Sequence, residues 1–136
     1  MNNPYNTYKN NAVFTATKEE LTTMLYDGAV RFCNQAILAM ENGDMQKTND
    51  MIQRTQAIVQ EFRLTLDKKY DISIQLDSIY EYMHHNLMMA NAKKDLTLLT
   101  AVRDDIKEMR DTWKEATKKS RITNAPATKV LNNQSI

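Results

Sequence analysis

The chain has 136 residues, of which only two are glycine and two are proline, about 3% together against roughly 12% in an average globular protein. That scarcity disfavours folds that turn every few residues, all-β architectures and tightly looped α/β units above all, and excludes collagen-like or Gly/Pro-rich chains. Eighteen basic and 17 acidic residues leave a net charge of +1, so no excess field points to nucleic acid or an anionic membrane.

Residues 1–16 are Asn-rich and polar, with Pro4, yet they hold Tyr5, Tyr8, Val13 and Phe14. Composition makes them a flexible arm with apolar anchors. The arm can fold over an apolar groove or pack ordinarily on the body of the protein. No basic stretch is followed by an apolar one, so a secretion signal is not expected. The uncharged stretches are too short and polar for direct membrane insertion. A single cysteine, Cys33, cannot close an internal disulfide and fits a reducing, cytoplasmic setting.

Thr17-Lys18-Glu19-Glu20 reads as a capping box and predicts a helix start near residue 18. From there Leu21, Met24, Leu25, Gly28, Phe32, Gln35, Ala36 and Ala39 fall at helical spacing. A second line runs through Tyr26, Val30, Cys33, Ile37 and Met40. Two lines make a broader face than the ~100° stripe of a surface helix. Asn42-Gly43 stops the helix, and Asp44 can cap the next. That second helix runs from Thr48 through Met51, Ile52, Thr55, Ile58, Val59 and Phe62 to Leu66, ending in the polar Asp67–Asp71 segment.

A third periodic segment carries Ile72, Leu76, Ile79, Tyr80, Met83, Leu87 and Ala90, and a break follows over Asn91–Asp95, with Asp95 as a cap. The fourth carries Leu99, Val102, Ile106, Met109, Trp113 and Ala116 at heptad-like spacing. Beyond Ser120 the periodicity is lost. The expected fold is all-α: an antiparallel four-helix bundle over residues 17–120, with the flexible N-terminal arm 1–16 and a disordered C-terminal tail 121–136.

Few residues suggest chemistry. Glu81 and His84 form a Glu-x-x-His motif, half of a ferritin-like di-metal site, but the other histidine, His85, is adjacent and points about 100° away. Neither a metal nor a cofactor is expected, and no nucleophile–base grouping or phosphate loop suggests an enzyme. Cys33 sits on an apolar line without a basic neighbour and reads as a small hydrophobe. The nine methionines suit either an irregular core or a groove that takes apolar peptides. Gly28 in mid-helix costs about 1 kcal/mol relative to Ala, which leaves open a close approach by a bundle helix or by a bound peptide.

A family resemblance rests on an ordered set of short motifs. They are Asn3-Pro4-Tyr5-Asn6-Thr7-Tyr8, Thr15-Ala16-Thr17 with Glu20-Leu21, and Met24-Leu25-Tyr26-Asp27-Gly28-Ala29 with Arg31-Phe32. Further on come Thr65-Leu66-Asp67, Leu76 to Tyr80, Tyr82-Met83 with Leu87, Ala90-Asn91 with Asp95, and Arg110-Asp111-Thr112-Trp113-Lys114-Glu115-Ala116. In this order and spacing, over residues 3 to about 118, the chain resembles the flagellar secretion chaperone (FliS) family. It departs from the family pattern at His84-His85-Asn86, at Lys69-Tyr70-Asp71 and at Cys33.

The resemblance implies a cytoplasmic four-helix protein that binds the C-terminal, helix-forming segment of flagellin and prevents its early polymerisation. It also implies presentation of that cargo to the export-gate protein FlhA. The expected contact residues are Tyr5 and Tyr8 as arm anchors, with Leu21, Leu25, Tyr26, Gly28, Ala29 and Phe32 forming or supporting the groove. A self-associating bundle, burying its wide face in a homodimer, is the alternative; a metal-binding ferritin-like bundle is a more distant one.

Overall fold

Each helix start follows from local chemistry. In the computed structural model, which describes residues 17–67, 69 and 71–123 (side chains of 120–123 excepted), the Thr17 hydroxyl accepts from the Glu20 N–H at 3.1 Å. The Glu20 carboxylate accepts in return from the Thr17 N–H. This closes the capping box and starts α1, Lys18–Glu41. The helix stops at Asn42, and Gly43 takes the left-handed conformation with φ 78°, which a residue without Cβ adopts freely. Asp44 then accepts from the Lys47 N–H at 3.1 Å and starts α2, Met45–Thr65.

The third helix, α3, spans Ile72–Lys93. It runs through Asn91, further than the expected break, and ends where Lys94 enters the left-handed region at φ 51°. That turn returns the Asp95 N–H to the Ala90 carbonyl at 3.0 Å, so the last carbonyls stay bonded. Asp95 accepts from the Leu98 N–H and starts α4, Leu96–Thr123. The helix therefore extends three residues past Ser120, where the apolar periodicity is lost.

Helix α1 packs on α2 and α4, α2 on α3, and α3 on α4. Short connections make the neighbours antiparallel, so the four close into a ring, the expected antiparallel four-helix bundle. The double apolar line of α1 is explained by its two neighbours: Gly28, Ala36 and Ala39 of one line and Tyr26, Val30, Cys33 and Met40 of the other are buried.

Ile52, Val59, Leu87, Leu99, Val102 and Ile106 fill the centre, each essentially without exposed surface. Thr48 and Thr55 are buried on α2, and their hydroxyls donate to the carbonyls of Asp44 and Met51 one turn back. Neither threonine hydroxyl is thereby left orphaned in the core.

An aromatic cluster ties three of the helices. The Phe62 ring of α2 lies 4.4 Å from Tyr26 of α1 and 5.3 Å from Tyr80 of α3, and the two tyrosine hydroxyls meet at 2.8 Å. Among the described residues, no helix is long and apolar enough to cross a membrane.

Candidate functional site

Of the four helix–helix seams, the one between α3 and α4 is the least closely packed. Near the Lys94-Asp95 turn, Leu87 and Ala90 meet Leu99 and Val102 in a fully buried layer. From Met83 and Asp105 onward, a cleft of about 410 Å³ runs toward Ile72 and Ala116.

The α3 wall consists of Ile72, Leu76, Ile79 and Met83, with Tyr82 at its edge. These residues follow the i, i+4, i+7, i+11 spacing of one helix face. The α4 wall is formed by Met109, Thr112, Trp113 and Ala116, with the carboxylates of Asp105 and Glu108 beside them. Tyr26 of α1 completes the lining.

The cleft is apolar and partly open. Ile72, Ile79 and Tyr82 remain 54%, 42% and 62% exposed, a run of large apolar surface that ordinary bundle packing would cover. The small Thr112 and Ala116 face the bulkier α3 side chains, so the walls do not fill the space between them.

The α4 wall is held in place by polar ties to α1. Trp113 donates its indole N–H to the Thr23 hydroxyl at 3.0 Å and, more weakly, to the Glu19 carbonyl at 3.4 Å. Asp27 receives Lys114 at 3.2 Å and Arg110 at 3.6 Å. The α3 wall is tied to α2 through Arg63, which donates to Asp77 at 2.9 Å and lies 3.9 Å from Glu81. Each wall is thus anchored on the side away from the cleft.

Burial pushes the Tyr26 and Tyr80 hydroxyls above their ordinary pKa, and the Cys33 thiol up to about 12. A thiol held in that state is no nucleophile at neutral pH. Glu81 of the Glu-x-x-His motif faces Arg63, and no group of three or more His, Cys, Asp or Glu side chains able to hold a metal occurs among the described residues.

Of the contact residues expected from sequence, Tyr26 alone among the described ones lines the cleft. Gly28 is buried and faces Ile58 of α2, and Ala29 is fully buried in the core. Leu25 packs half-buried against the core, as does Phe32, whose ring lies under Arg31 and Arg54. Leu21 is half-buried on the first turns of α1. These side chains support α1 and its seam with α2 and do not line the opening; Tyr5 and Tyr8 lie outside the described residues.

The cleft residues of α3 and α4 all sit on periodic lines visible in the sequence, except Tyr82, Asp105, Glu108 and Thr112. The signal that could have singled them out is the pairing of a wide α3 apolar face with small residues on α4.

Two motifs of the family resemblance meet in space: Asp27 of α1 pairs with Arg110 and Lys114 of α4, and Trp113 donates to Thr23, the residue before the α1 motif. The family model "Flagellar protein FliS" matches residues 1–120. The chain belongs to the FliS family. It is 40% identical over 119 residues to the flagellar secretion chaperone FliS of Bacillus subtilis, covering 88% of this chain and 90% of that protein. It is 30% identical to the FliS of Campylobacter jejuni, covering 82% and 88%, and 29% identical to that of Escherichia coli, covering 77% and 79%. Family membership places the chain among the flagellar secretion chaperones, and the α3/α4 cleft is an apolar opening among the described residues.

Proposed function

We propose that this chain is a cytoplasmic export chaperone that holds the C-terminal, helix-forming segment of flagellin in the α3/α4 cleft. It thereby prevents early polymerisation and presents the cargo to the export-gate protein FlhA. The observation that carries this reading is the cleft itself. Its α3 wall runs from Ile72 to Met83, about 17 Å at 1.5 Å per residue, the length of three helical turns. A helix laid along it would place apolar side chains at i, i+4, i+7 and i+11 against matching positions, the helix-in-groove mode.

Binding orders a segment that is otherwise unstructured, and apolar burial offsets that entropy. No phosphate-binding loop is present in the sequence, so release requires a competing site and not nucleotide hydrolysis. On this reading residues 17–120 are the chaperone domain, flanked by the arm 1–16 and the tail 121–136.

Calorimetric titration of the flagellin C-terminal peptide into the full chain tests the proposal. Saturable heat at on the order of tens of micromolar or below, abolished by Ile79→Asp in a variant that still melts cooperatively, is the expected result. Absence of heat and of co-elution overturns it. Dimerisation that buries the cleft and is unaffected by peptide favours the self-associating bundle instead.

A further inference from the structure

Counting hydroxyl protons at the Tyr26–Tyr80 contact leaves one donor over. Two phenols meeting at 2.8 Å hold two O–H groups, but their mutual bond uses only one. Neither hydroxyl has a second partner among the described residues. Both side chains are buried, Tyr26 4% and Tyr80 1% exposed, but only Tyr26 takes part in lining the cleft. If Tyr26 donated, the Tyr80 proton would be stranded in the core, an arrangement that buried polar groups avoid. With Tyr80 donating and Tyr26 accepting, the surplus proton belongs to the residue that borders the opening.

We infer that the Tyr26 hydroxyl donates a hydrogen bond to a neutral carbonyl oxygen of the segment bound in the cleft, and so helps to determine which sequences and registers bind. This rests on the cleft being the peptide site. The acceptor is neutral because Asp105 and Glu108 line the same cleft, and a ligand carboxylate there would meet like charge. Carbonyls within a helix are already engaged one turn on. The acceptor is therefore a side-chain amide of Asn or Gln, or a backbone carbonyl freed where the bound helix bends or ends. A purely apolar helix of the same shape leaves the hydroxyl desolvated without a partner and binds less well.

Three variants of the full chain separate this role from a structural one. Tyr80→Phe removes the pair but keeps the Tyr26 hydroxyl; Tyr26→Phe removes the cleft donor and strands Tyr80. Tyr26→Phe/Tyr80→Phe removes both hydroxyls and strands none. Calorimetry with the flagellin C-terminal peptide is expected to give Tyr80→Phe an affinity within about twofold of the parent. The double variant should bind about five- to tenfold more weakly, the value of one neutral hydrogen bond. Melting temperature follows a different order, with Tyr26→Phe lowest. Equal affinity of Tyr80→Phe and the double variant overturns the inference while leaving the chaperone reading intact. Failure of the parent chain to bind the peptide overturns both.

Discussion

The seams between α1 and α2 and between α3 and α4 are made from helices of similar length, yet they are put together in opposite ways. At the first, α1 brings Gly28, Ala29, Cys33 and Ala36 and α2 brings Thr48, Ile52 and Thr55, all buried. Small side chains on one helix admit branched ones on the other, and the helices close. At the second, the small residues of α4 face a row of large ones on α3, but beyond the buried layer next to the turn the helices do not close. The first seam contributes stability through burial. The second leaves apolar surface in water, a cost that a partner bound as proposed would recover.

The sharpest way to break this comparison is one truncation at each kind of position on a single helix. Leu87 is fully buried and Ile79, two turns earlier on α3, is 42% exposed beside the cleft. Leu87→Ala is expected to cost about 2–5 kcal/mol, as loss of a buried leucine leaves a cavity. Ile79→Ala is expected to cost under about 1 kcal/mol while weakening peptide binding. Urea denaturation of the two variants measures the difference. If Ile79→Ala destabilises as much as Leu87→Ala, the cleft is part of the core and not an opening.

A smaller effect comes from the buried ionisable groups. Burial raises the Cys33 thiol from an ordinary 9.0 to about 12, and raises the hydroxyls of Tyr26 and Tyr80 above 10.0. In the folded chain these groups keep their protons where the unfolded chain releases them. Above pH 9 the unfolded state therefore binds fewer protons, and stability falls as pH rises. The urea midpoint should be flat with respect to these groups from pH 7 to about 8.5, then decline. Cys33 alone should remove about 2 kcal/mol by pH ~10.5. Cys33→Ala should move the onset toward the tyrosine range, and a midpoint unchanged up to pH 11 would contradict the burial of all three.

Much of this architecture could be read from the sequence because its causes are local. Thr17 with Glu20, Asp44 and Asp95 mark helix starts through contacts three residues away. Gly43 marks a turn through its own backbone freedom. The Lys94 cap was not legible, because a lysine enters the left-handed region only when the surrounding packing imposes it.

The cleft was not legible for a related reason. Ile72, Leu76, Ile79 and Met83 resemble any core stripe, and only the spacing of two helices decides whether such a stripe is covered. The contact between Tyr26 and Tyr80 joins residues 54 positions apart, and no periodicity encodes it. The arm-and-α1 groove expected from Leu21, Leu25, Gly28, Ala29 and Phe32 has the same origin: apolar character on α1 does not tell which neighbour it serves.

The smallest expected effect bears on Gly28, the mid-helix glycine whose partner the sequence left open between a bundle helix and a peptide. The neighbour is Ile58 of α2: a Cβ at Gly28 would meet its Cδ1 at 3.4 Å, with the Arg31 guanidinium next at 3.9 Å. Both are far ends of side chains, and 3.4 Å is ordinary contact. Gly28→Ala therefore meets no backbone obstacle, and it removes conformational freedom from the unfolded chain. The variant should be stabilised by up to about 1 kcal/mol, the helix-interior difference between the two residues. A larger side chain has no such room, and Gly28→Leu would press into Ile58 and cost about 1–3 kcal/mol. Thermal melting of the two variants tests how closely α1 and α2 meet. Since Gly28 does not line the cleft, peptide affinity should be unchanged in Gly28→Ala. A stabilised variant that loses affinity would mean that the closed seam must loosen for the open one to bind, and the two regions would then be coupled and not separate.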